Sequence, residues 1–224
     1  MKIARFVVGA LAAGMLMAQI RLDSNKMRND LFASMAGNTE AMKRMLGASG
    51  KVLAEDPDHA QALLWHGVAT IAAFFPEAQK GNAQAAFPSL QRGILEMDRA
   101  VSLAPDDIEV RVMRAVLYQP TSRQLPPQLS SDMLEKARTD FQHTFDLQRN
   151  HLAELGTHPL GELLQGLADT YSRQGKVADA EKYYGLIRSM LKDTEYDKRA
   201  AEWMKTRQPL AEAQTACVGC HTGR

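Results

Sequence analysis

The sequence predicts an all-α protein. Apolar residues recur at helical steps along almost the whole chain, Ala, Leu, Met, Glu, Arg and Gln dominate, and Val, Ile and Thr are nowhere bunched into alternating runs. No stretch therefore reads as a strand. Of the 224 residues, 45 % are hydrophobic and 24 % charged, which suits a packed globular core. The formal net charge of +1 lacks the basic excess that a nucleic-acid surface requires, so no nucleic-acid partner is expected.

At the N-terminus, Lys2 and Arg5 precede twelve apolar residues (6–17), and Ala18 is followed by the polar Gln19-Ile20-Arg21. This order of a basic region, a short apolar region and a small residue predicts a signal peptide over residues 1–18. Twelve apolar residues fall short of the roughly 20 that cross a bilayer, so no stable membrane span is expected after cleavage. Loss of Lys2 and Arg5 takes the formal charge from +1 to −1. The mature chain is expected in the periplasm or otherwise exported, with a helical domain over residues 19–208 and a tail over residues 209–224.

Between residues 30 and 55, Phe32, Met35, Met42, Met45, Leu46 and Leu53 fall at helical steps, and Gly47 and Gly50 are expected to divide the stretch into two helices. Next comes Asp56-Pro57-Asp58-His59-Ala60-Gln61-Ala62-Leu63-Leu64-Trp65-His66-Gly67, where Pro57 suits a helix stop and Gly67 permits close helix approach. The boundary recurs as Ala100-Val101-Ser102-Leu103-Ala104-Pro105-Asp106-Asp107-Ile108, with Ala115 at the small-residue position. A third copy has Leu164, Leu167, Ala168, Tyr171, Gly175, Ala180 and Tyr184 in the corresponding places. Over residues 38–206 this pattern resembles the tetratricopeptide repeat family. The resemblance implies stacked antiparallel helix pairs in a right-handed solenoid, with a concave face that binds a protein partner and no catalysis of its own.

Taking Ala60, Ile108 and Gly161 as equivalent first positions, the repeats step by 48 and 53 residues, against about 34 in the regular unit. The excess is assigned to two Pro-containing insertions, residues 75–88 and 119–128, which are expected to interrupt helix and project from one edge of the array as loops or as a lip over a partner. The last helix, over residues 196–205, carries Ala200, Ala201 and Trp203 as a cap, and Pro209 stops it.

Both cysteines lie beyond that stop, in Cys217-Val218-Gly219-Cys220-His221. This run resembles the attachment pentapeptide of c-type cytochromes, in which two thiols form thioethers to the haem vinyl groups and the adjacent imidazole binds iron. The resemblance implies one covalent haem c per chain, held by Cys217 and Cys220, with His221 as the metal ligand. A disulfide or redox-active dithiol is the other reading of the pair. A closed zinc site would need a second cysteine pair, which the chain lacks. The tail is too short to enclose a porphyrin, so the cofactor must lie against the helices, against another subunit or in water.

His59, His66, His143, His151 and His158 are formal candidates for a sixth ligand. His59 reads as a solvated turn residue and His66 as packed or hydrogen-bonded on a helix. Met27, Met35, Met42 and Met45 read as core filler, and Trp65, Trp203, Tyr171 and Tyr184 as packing residues. No phosphate loop, nucleophile elbow or paired-histidine helix is present, so no enzyme is expected. The expected function is an electron-transfer or redox-partner module of an envelope complex; the alternative is a repeat scaffold that binds a protein and carries a terminal disulfide.

Overall fold

A computed structural model describes residues 22–211. The expected signal peptide and the Cys217, Cys220 and His221 motif lie outside the described residues. Among the described residues the chain is all helical and no strand occurs. The order is α1 (Ser24–Met35), α2 (Thr39–Glu55), α3 (Ala60–Glu77), α4 (Ala83–Leu103), α5 (Ile108–Thr121), α6 (Pro127–Gln148), α7 (Thr157–Arg173), α8 (Val177–Met190) and α9 (Glu195–Thr206). None of these helices is long and apolar enough to cross a membrane.

Local chemistry sets the helix ends. The side chains of Asp23, Asn38, Asp107 and Thr194 accept hydrogen bonds from backbone N–H groups of the first turns of α1, α2, α5 and α9. His59 does the same for α3, its Nδ1 accepting from the Ala62 N–H at 3.2 Å. That role, and its burial, correct the expectation of a solvated turn residue. Gly37 (φ 94°) and Gly175 (φ 72°) turn the chain after α1 and α7 in the left-handed region, which costs a glycine no Cβ clash. The division within residues 30–55 thus falls at Gly37; Gly47 and Gly50 lie inside α2.

Most of the two Pro-containing stretches is helical rather than looped, a second correction, with the breaks confined to Gly81 and to Leu125-Pro126. Pro76 lies inside α3 and Pro88 inside α4, with a π-helical turn (Ala78–Asn82) between them that bends at Gly81, φ 89°. Pro120 lies inside α5, and a short 3₁₀ turn (Ser122–Gln124) leads to α6, which begins at Pro127. A proline in a helix interior loses a backbone hydrogen bond and costs about 3 kcal/mol. Packing along the extended hairpins offsets it: Phe74, Leu90 and Tyr118 are all buried around these prolines. The excess length of the first two units is therefore added helix.

Each helix packs on its successor, and α1, α3, α5, α7 and α9 also touch in turn, so the odd-numbered helices form one continuous layer. The core lies between this layer and the even-numbered helices. It contains the buried residues of the third repeat-like stretch, Leu164, Leu167, Ala168, Tyr171, Ala180 and Tyr184, together with Ala115, Trp65 and Trp203. Met27 and Met45 join it, but Met35 does not, its side chain being 48 % exposed. The helix before Pro209 packs as expected: the Trp203 ring stacks on Tyr184 at 4.6 Å, and its Nε1 donates to Ser172 Oγ at 2.7 Å.

Candidate functional site

The outer side of the odd-helix layer holds an apolar groove of about 1120 Å³. Its floor is α5, which contributes Val112, Val116 and Leu117. Phe32 and Met35 of α1 and Phe75 of α3 form one wall, and Leu155 and Leu163 beside and within α7 form the other. The groove's apolar lining comes from α3, which is apolar nearly all round, and from the Val112, Val116 and Leu117 positions of α5. In α5 the buried Val110 and Ala115 belong to the core, the buried Met113 lines the groove as well, and the partly buried Val116 and Leu117 line the groove while packing against the core.

Polar groups border the groove. Glu109, in the first turn of α5, accepts from Ser24 Oγ at 2.8 Å, Gln61 Nε2 at 3.0 Å and Arg28 Nη2 at 3.2 Å, tying α1 and α3 to α5. On the α7 side His158 pairs through Nδ1 with the Tyr196 hydroxyl at 3.1 Å. Tyr196 in turn lies flat on Gly161, where a Cβ would sit 2.3 Å from the ring.

Two buried carboxylates pin α5 to its neighbours. Asp140 of α6 accepts from Arg111 Nη1 at 2.8 Å and from Arg114 Nε and Nη2 at 2.6 and 2.9 Å. Arg114 also donates to Asp98 of α4 at 2.9 Å. Asp169 of α7 accepts from Gln119 Nε2 at 2.7 Å and from Arg123 Nη2 at 3.2 Å. Burial pushes both carboxyls up, and the adjacent guanidiniums act against it. Both aspartates are wholly enclosed and neither lines the groove; each clamps neighbouring helices together.

The Arg123 guanidinium has a further acceptor. It donates to the Leu210 carbonyl at 3.0 Å, and Leu210 is buried. The chain beyond α9 is thereby tied to Arg123, the sequence neighbour of Gln124, which lines the groove.

The other sequence-nominated histidines sit apart from one another. His66 Nδ1 is 2.7 Å from Glu96 Oε2; burial works to raise the Glu96 carboxyl, but the His66 and Arg92 hydrogen bonds outweigh it and hold it below the usual range. His143 pairs with Asp106 at 2.8 Å and His151 with Glu154 at 3.0 Å. His158 is the histidine that borders the groove. Among the described residues no three His, Cys, Asp or Glu side chains converge as a metal site.

Reading the sequence for chemistry missed the groove-lining Phe75, Val112, Val116 and Leu117. The available signal was the lack of a polar face on α3, where Leu63, Leu64, Trp65, Val68, Ile71, Phe74 and Phe75 already exceed one stripe. No family model matches the chain, and no curated protein or solved structure does either.

Proposed function

We propose that this chain is an exported helical-repeat protein carrying one covalent haem c, serving as an electron-transfer or redox-partner module in an envelope complex. Cys217 and Cys220 carry the thioethers and His221 ligates the iron. The observation that carries the reading is the Cys-x-x-Cys-His run, which holds both cysteines of the chain. Its supports are the basic-apolar-small order of residues 1–18, which places the thiols where haem attachment occurs, and an apolar groove able to shield a porphyrin edge. A c-type haem supplies one-electron exchange; the helices supply a rigid frame and a surface for the redox partner. The odd-helix layer with its groove favours a tetratricopeptide-like right-handed solenoid whose concave face is that layer.

The experiment is expression in a host that attaches haem c. The expected mature product is heavier than its polypeptide by one haem, with a Soret band that survives acid-acetone extraction, and Cys220→Ser loses it. A mature chain of polypeptide mass alone ends this reading. The second reading is then the scaffold, in which Cys217 and Cys220 form a disulfide; what favours it is the same groove, whose size and apolar lining suit a partner's segment.

A further inference from the structure

We infer that the groove of the odd-helix layer is the seat of the chain's own haem-bearing tail, residues 212–224. The inference rests on the haem reading above and adds where the cofactor lies. The point of departure supports it first. Leu210 is buried and its carbonyl accepts from Arg123, whose sequence neighbour Gln124 lines the groove, so the tail starts from a residue tied to the segment that borders that end. Length supports it next. Cys217 lies six residues past Ala211, a reach of about 20 Å in extended chain. The floor from Gln124 back to Ile108 spans sixteen residues, about 24 Å of helix. The attachment pentapeptide therefore reaches most of the groove without any helix moving.

Chemistry agrees. Thirteen residues cannot remove a porphyrin from water by themselves. Phe75, Val112, Val116 and Leu117 offer an apolar bed in the same molecule, and at about 1120 Å³ the space exceeds the roughly 300–1,000 Å³ of ordinary small-ligand sites, leaving room for a macrocycle together with its peptide. Binding in cis also avoids the entropy of bringing two chains together.

The test uses the full haem-loaded chain with a photoreactive benzoylphenylalanine at Val116, in the middle of the floor. The expected product has the mass of one chain, retains haem absorbance, and carries its cross-link within residues 212–224. A haem-loaded chain that cross-links to residues 19–21, to a second copy or to another protein overturns the seating and leaves the haem reading standing. A chain without haem mass overturns both. Val116→Glu provides an independent measure. With unchanged helical circular dichroism and unchanged haem mass, it is expected to alter the Soret band and to speed proteolysis within residues 212–224 at least tenfold; wild-type behaviour in both overturns the seating.

Discussion

Gly67 of α3 and Gly93 of α4 meet backbone to backbone. A Cβ on Gly67 would lie 2.7 Å from the Gly93 carbonyl oxygen, and one on Gly93 would lie 2.8 Å from the Gly67 carbonyl oxygen. Each glycine makes room for the other, and the longest hairpin of the protein crosses at that point. In Gly67→Ala the helix-propensity gain of about 1 kcal/mol is opposed by a clash with backbone, which cannot swing aside. The expected result is a net loss of about 1–3 kcal/mol in urea unfolding. Gly50→Ala, where nothing lies within 4 Å, is the control and is expected to gain about 0.5–1 kcal/mol. Equal behaviour of the two variants would refute the close crossing.

Asp140 is expected to be the most costly single polar truncation. Its removal leaves the buried Arg114 and the nearly buried Arg111 without their main counter-charge. Asp140→Ala is expected to lose about 3–5 kcal/mol. A loss below about 1 kcal/mol, read by thermal or urea unfolding, would place the pair in the range of surface bridges and contradict its enclosure.

Tyr184 presents the opposite case. Its ring is buried against Trp203, but its hydroxyl has no hydrogen-bond partner among the described residues, and burial pushes its pKa up. Tyr184→Phe is therefore expected to be neutral or to stabilise by about 1 kcal/mol, since an unpaired buried hydroxyl is removed. Tyr184→Ala is expected to lose about 3–5 kcal/mol through the cavity. Destabilisation of the Phe variant by more than about 1 kcal/mol would mean the hydroxyl has a partner.

Acid sensitivity is expected at the α6–α7 contact. The Arg138 hydrogen bond, against a smaller effect of burial and with help from Gln174, holds the Glu135 carboxyl down at about 2. In the unfolded chain a glutamate titrates near about 4.3. A folded pKa below the unfolded one contributes stability that is present above about 4.3 and lost as the pH falls towards 2. Because the side chain is half exposed, the contribution is of surface-pair size, about 0–1 kcal/mol. Unfolding midpoints at pH 6 and pH 3 are expected to differ less in Glu135→Gln than in the wild type, and an identical difference counts against the pairing.

Much of the helical frame was legible because helix ends and periodicity are local. The stop at Asp56-Pro57, the boundary before Ile108, the turn at Gly175 and the inward stripe Leu164, Leu167, Ala168 and Tyr171 all follow from neighbouring residues and all recur in the structure. The close approach at Gly67 was legible for the same reason. Where the reading failed, a distant partner outweighed a local preference. Pro76, Pro88 and Pro120 signal breaks, yet contacts between paired helices keep all three within helix. His59 looks like a surface turn until its ring is seen capping α3, and Met35 looks like core until α1 is placed beside the groove.

By itself the sequence determined the helical class, the repeat-like boundaries and the Cys-x-x-Cys-His spacing of Cys217, Cys220 and His221, since each depends on spacing along one stretch of chain. Only the tertiary structure decided which apolar side chains line the groove, how Asp140 and Asp169 find their arginines, and that the Leu210 carbonyl is held by Arg123. Those relations join residues 26 to 87 positions apart, and no local propensity encodes which of many compatible surfaces will meet.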